Sequence, residues 1–205
     1  MKNWDELANP ESIAEAVESL KTNGINSVVV ENSEEAKKKV MELLPQGSEV
    51  MTMSSVTLDT IGLAKEINES GKYNSVKAKL MKMDRTTQGL EMQKLGAAPE
   101  YVVGSVHAVT QDGKLLIASN TGSQLPAYAF GASHVIWVVG TQKIVKDEEE
   151  GKKRIYEYVL PLESERINKL NNITAGSFVS KLLAINRERK PDRLNVIFVK
   201  EKLGF

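Results

Sequence analysis

Residues 134–139 read HVIWVV, a run with no polar residue alternating into it. A strand that is apolar on both faces must be covered on both faces, which is the situation of a central strand in a parallel sheet. Residues 26–31 (NSVVVE) are read as a short buried strand and residues 194–199 (LNVIFV) as a last strand. Between such runs lie stretches of helical period. In residues 9–24, Ile13, Ala16, Val17 and Leu20 share one face, Asn9 or Ser12 can cap the start, and Asn23-Gly24 ends the pattern. Ser33 is read as the cap of a second helix with Ala36, Val40, Met41 and Leu44 inward, stopped by Pro45 and Gly47. Strands alternating with helices predict an α/β, three-layer architecture: a mainly parallel twisted sheet flanked by helices. The expectation is a single domain over 1–205, with residues 1–24 as an N-terminal helical arm.

The middle of the chain adds a hairpin to this alternation. Residues 101–109 are read as one strand, Gln111-Asp112-Gly113 as a tight turn with Gly113 at positive φ, and residues 114–118 as the return strand. The polar loop Ser119-Asn120-Thr121-Gly122 follows. Ser123 is read as an N-cap and Pro126 as a first-turn residue of a short helix ended by Gly131. After 134–139, residues 140–145 (GTQKIV) are read as a strand-end turn leading into a helix through the charged run 146–154, in which Glu148-Glu149-Glu150 are a solvated face, with Pro161 breaking the helix. Upstream, strand 48–53, the pair Ser54-Ser55 and a helix start at Thr57 form a second polar corner. Residues 84–95 are read as a helix carrying Arg85 in its first turn, the unfavourable end for a cation, so either a ligand or simple solvation accounts for it. Residues 73–83 fit neither pattern cleanly.

Ligands of such sheets sit outside the carboxyl ends of the strands. Three loops are expected there: Ser54-Ser55, residues 120–124, and residues 140–143. Asn120, Thr121, Gly122 and Ser123 are the expected anion cradle, since a loop, a glycine and a helix start coincide. Lys143 is read as the countercharge or, alternatively, as a surface lysine. His107, with Ser105 two positions back, is the first choice for proton transfer, against a hydrogen-bonded histidine at a strand end. Asp112 is first a turn residue and only secondarily a candidate acid.

Composition closes several routes. The 27 basic and 27 acidic residues balance, which argues against a general nucleic-acid binder. There is no cysteine, hence no thiol nucleophile, disulfide or iron–sulfur ligand on this chain, and two histidines make a conventional zinc site an unsuitable reading. No metal is expected. The acidic, amphipathic start is unlike a signal peptide and no apolar run has membrane-spanning length, so the expected compartment is the cytoplasm, with no membrane partner. The dinucleotide, P-loop and nucleophile-elbow glycine motifs are all absent.

The ordered segments AVTQDGKLLIASNTGSQLPAYAFGASHVIWVVGTQKIV (108–145), MTMSSVTLDTIGL (51–63), YVLPLESERINKL (158–170), LLAINRERKPDRLNVIFV (182–199) and the terminal EKLGF resemble the LUD-domain family, the lactate-utilisation protein C group. The resemblance spans residues 26–205 and rests on the set rather than on one motif. It implies a fold like that of ribose-5-phosphate isomerase, glucosamine-6-phosphate deaminase and CoA transferases (NagB/RpiA/CoA-transferase-like). It implies a cytoplasmic role in oxidising L-lactate to pyruvate with iron–sulfur partner proteins. By position it assigns Ser55, Thr57 and Leu58 to the first loop, Asp112, Gly113, Asn120, Gly122 and Lys143 to the central block, and Arg166 to the segment after the proline. Ser54 stands where many members have glycine. With no cysteine here, the cluster belongs to a partner. The expected ligand is a small carboxylate or phosphate metabolite. A non-catalytic assembly subunit, or an isomerase or CoA-transferase-like enzyme, is the alternative, and a homo-oligomer is compatible with either.

Overall fold

A computed structural model describes residues 2–172 and 174–205. In chain order the first half comprises α1 (Pro10–Thr22), β1 (Asn26–Val30), α2 (Ser33–Leu43), β2 (Glu49–Thr52), α3 (Val56–Thr60), α4 (Leu63–Glu69), β3 (Asn74–Ser75), α5 (Val76–Leu80), α6 (Arg85–Ala97) and β4 (Tyr101–Gly104). The second half comprises β5 (Ala108–Thr110), β6 (Leu115–Ser119), a π-helical turn (Ala127–Gly131), β7 (His134–Gly140), a 3-10 turn (Thr141–Lys143), β8 (Ile144–Val145), α7 (Glu148–Arg154), a second π-helical turn (Ile155–Val159), α8 (Leu160–Asn171), β9 (Lys181–Ile185) and β10 (Leu194–Val199).

Six strands form one sheet in the order β1-β10-β7-β4-β2-β3, with every pairing parallel. The expected three-layer α/β architecture is therefore what the chain adopts. β7 lies inside the sheet and explains its own sequence: Val135, Trp137 and Val139 join the core on one face, Ile136 and Val138 the core on the other. The N-terminal helical arm is α1, and it is packed. Asn9 caps it through a 2.8 Å bond from the Ser12 amide, while Ile13, Ala16 and Leu20 are buried in the first of these cores. Among the described residues no helix is long and apolar enough to cross a membrane.

A second, four-stranded sheet, β8-β5-β6-β9, is mixed: β5–β8 is parallel, whereas β5–β6 and β6–β9 are antiparallel. Its existence corrects the reading of 101–109 as one strand. The chain leaves the first sheet after Gly104 and enters the second at Ala108. Tyr128 packs over Gly104, where a Cβ would stand 1.9 Å from its hydroxyl oxygen. The Ser105 hydroxyl then donates to Val138 O at 2.7 Å, holding the departing chain against β7.

Other local readings shift for identifiable reasons. Asn32 caps α2, accepting from the Glu35 amide at 3.0 Å, while the Ser33 hydroxyl meets Glu201 instead. Ser123 caps no helix, because the short helix is the π turn starting at Ala127. Pro161 does not stop the helix: α7, the π turn and α8 run on as one rod, and the wider π turn lies just before the proline, whose ring nitrogen carries no hydrogen to donate. Within the charged run 146–154, Gly151 and Arg154 are buried, while Glu149 is exposed and Glu148 and Glu150 are half-buried.

Candidate functional site

The carboxyl ends of β2, β4 and β7 and the end of β6 open onto one cleft of about 770 Å³. Ser54, Ser55 and Thr57 line it after β2, His107 after β4, and Asn120, Thr121 and Ser123 after β6. Lys143 lines it from the 3-10 turn after β7, and Arg166 from α8. The three expected loops do converge.

Lys143 lies at the floor. The 3-10 turn folds its side chain back under the strand ends until only 2 % remains exposed. Its Nζ donates to Thr57 Oγ1 at 3.1 Å, Ser105 Oγ at 3.1 Å and Val106 O at 3.2 Å. None of these is a carboxylate. Both hydroxyls point their own protons at backbone carbonyls, Thr57 at Leu203 O (3.2 Å) and Ser105 at Val138 O (2.7 Å). Their lone pairs are thereby left for the lysine. Burial, and secondarily the charge of Arg154, push the Lys143 ammonium down to about 7.

His107 is the neighbouring group. Its Nδ1 accepts from the Ala118 amide at 3.1 Å, which places the ring proton on Nε2. Burial, then Lys143 and Arg154, push its imidazolium down to about 3, so the ring is neutral at ordinary pH. Behind it, Arg154 is completely buried and donates to His107 O at 2.7 Å, while its Nε and second terminal nitrogen have no protein partner among the described residues. Burial lowers even this guanidinium to about 10.

Several sequence candidates take other roles. The cradle at Asn120 to Ser123 is closed on itself: the Gly122 amide donates to Ser119 Oγ at 2.8 Å and the Ser123 amide to Thr121 Oγ1 at 3.3 Å. Gly122, at φ +87°, makes the bend and packs on the Lys181 side chain rather than facing the cleft. Asp112 and Gly113 stand apart from the site. Asn23 donates to both of their carbonyls at 3.1 Å, and the Asp112 carboxylate pairs with Lys114 at 2.9 Å. Gly113 abuts α1 so closely that a Cβ would fall 2.6 Å from the Ser19 carbonyl carbon. Arg166 reaches the cleft already neutralised, held by Glu163 through two 2.7 Å bonds. His134 stacks on Tyr101 with ring centroids 4.7 Å apart, a packing role.

Other functional positions were weakly signalled. Ser105 was visible only as a neighbour of His107. Arg154 falls on the buried face Gly151-Arg154-Ile155, an i, i+3, i+4 pattern that could have marked it. Lys77 and Arg85 add positive charge to the cleft lining, Lys77 donating to Ser54 Oγ at 3.1 Å. Among the described residues no group of His, Asp or Glu side chains is placed to hold a metal ion.

The sequence profile of the LUD domain matches residues 13–199. The crystal structure of a DUF162 family protein from Deinococcus radiodurans aligns with 95 % of this chain and 99 % of its own, at a TM-score of 0.58 and 13 % identity. That likeness shows a shared fold. A partial alignment to eIF2B beta from Chaetomium thermophilum covers 58 % of this chain and 44 % of that one, at a TM-score of 0.36 and 13 % identity. No curated protein matches this chain.

Proposed function

Because this chain belongs to the LUD-domain family, we propose that its cleft binds a small metabolite bearing a carboxylate or phosphate, within the cytoplasmic oxidation of L-lactate that the family resemblance implies. The observation that carries this reading is Lys143: a buried cation held only by neutral oxygens, at the floor of an open cleft. A buried charge is normally offset by an opposite one, and the absence of that offset inside the protein leaves the role to a ligand. Lys77 and Arg85 in the lining point the same way, since Glu163, an acidic side chain of the same lining, is engaged with Arg166. His107 contributes a neutral Nε2–H donor for a hydroxyl or carbonyl oxygen of the ligand. Electrons leaving such a substrate require a redox group, and with no cysteine in the chain we assign it to an iron–sulfur partner protein.

Cleft size favours a second form of the same reading. A three-carbon acid occupies only a small part of 770 Å³, so a larger, phosphate-bearing metabolite also fits. Calorimetric titration of L-lactate, pyruvate and a sugar phosphate into wild type and Lys143→Met discriminates these. At least one is expected to bind wild type below about 1 mM and to lose tenfold or more in the variant, about 1.4 kcal/mol. If no anion binds more tightly than about 1 mM, the anion-site reading is wrong.

A further inference from the structure

We propose that Lys143 is a nucleophile as well as a counter-ion: its Nζ condenses with the carbonyl carbon of a small anionic aldehyde or ketone in the cleft to form an imine. This rests on the anion-site reading above and assigns a chemistry to it. Four features of the geometry meet at this amine. It lies at the end of an open cleft rather than in a sealed core. Among the described residues no acid holds it as a permanent cation, as Glu163 holds Arg166. When it loses a proton, two of its three oxygen partners still accept its remaining hydrogens, and the lone pair takes the place of the third bond. Beside it stands His107, whose Nδ1 is occupied by the Ala118 amide and whose Nε2–H is left to polarise a carbonyl oxygen, as a neutral imidazole can. The lowered pKa supports this placement, because a lysine near neutrality is substantially free amine at physiological pH.

The chemistry balances without a further reagent. The Nζ lone pair attacks the carbonyl carbon, forming the C–N bond. The carbonyl π pair moves to oxygen, which takes up a proton as the nitrogen gives one up, yielding a carbinolamine. The hydroxyl then departs as water after a second protonation, the nitrogen lone pair forms C=N, and the second nitrogen proton is released. One carbonyl compound and one amine become one imine and one water, with no change in oxidation state. Lys77 and Arg85, which also line the cleft, add positive charge for the anionic part of the ligand.

Borohydride trapping tests it. The whole protein is incubated with pyruvate, as carboxylate probe, or with dihydroxyacetone phosphate, as phosphate probe, and then reduced and mapped by mass spectrometry, with calorimetric binding measured in parallel. Lys143 is expected to carry the reduced adduct at least about tenfold more than any other lysine, because an ordinary lysine is almost wholly protonated at neutral pH. The better probe identifies the anionic group. Lys143→Arg keeps the charge but offers no nucleophilic amine, and is expected to lose the adduct. Lys143→Met is expected to lose both adduct and binding. Binding of a probe with no adduct above that of surface lysines overturns the imine and leaves the anion site standing. Absence of both binding and adduct overturns the two together. An equal adduct yield in Lys143→Met places the label elsewhere and also overturns the proposal.

Discussion

Among the buried cations, Arg193 and Lys143 lie at opposite ends of the main sheet, and the protein treats them differently. Arg193, at the amino end of β10, is 4 % exposed and fully engaged: Nε donates to Ala132 O at 2.9 Å, one terminal nitrogen to Ala127 O (3.1 Å) and Tyr128 O (2.9 Å), and the other to the Glu188 carboxylate at 2.7 Å. It closes off the π turn that packs Tyr128 over Gly104. Lys143, at the carboxyl end of β7, is as deeply buried and has no carboxylate partner among the described residues. A buried ion pair holds structure together, whereas a buried ion without its pair has been left available for something else. The amino end of the sheet is thus a staple and the carboxyl end a site.

The largest expected effect probes the staple. Glu188→Ala leaves the Arg193 guanidinium buried beside neutral carbonyls only, and urea unfolding should show a loss of roughly 3–5 kcal/mol. A change of under about 1 kcal/mol, the range of an exposed pair, would remove the distinction between the two ends.

A smaller effect of opposite sign is expected at the site. In Lys143→Met, Thr57 and Ser105 keep their bonds to Leu203 O and Val138 O, and the cost of burying an ammonium disappears. At pH 6 the variant should equal or exceed wild type, by about 1–2 kcal/mol. Between pH 7 and the ordinary lysine range, the unfolded wild type binds a proton at this position that the folded protein does not. Wild-type stability therefore gains as pH rises through that window, and the variant's advantage should shrink between pH 7 and 9. Parallel urea midpoints at pH 6, 7.5 and 9 measure this. A variant several kcal/mol weaker at every pH would show Lys143 to be a second staple.

The sheet could be read from the chain because its signals are local. Residues 135–139 and 196–199 are apolar throughout and lie inside the sheet, and Gln111-Asp112-Gly113 turns as its types demand, Gly113 at φ +80°. What escaped reading depends on contacts distant in sequence. YVVGSVHAV looks continuous, and only the approach of Tyr128 to Gly104 explains why the strand ends there. Asn120 to Ser123 has the composition of an anion cradle, yet Ser119 and Thr121 satisfy its amides. Lys143 has the composition of a surface turn, and only its bonds to Thr57 and Ser105, from two other strand ends, bury it. Of the residues that the family resemblance singled out, Lys143 and Thr57 line the cleft, while Asp112 and Gly113 belong to a turn packed on α1.

The titration of the Lys143 side chain itself, followed by NMR of the lysine ε-carbon in wild type with Lys143→Met to assign the signal, bears most directly on the site. A midpoint near pH 7 is the result expected for an amine buried without a counter-ion and accessible to the cleft. A midpoint at the ordinary lysine value of about 10.4 would contradict it, showing an ammonium solvated or paired like any on the surface.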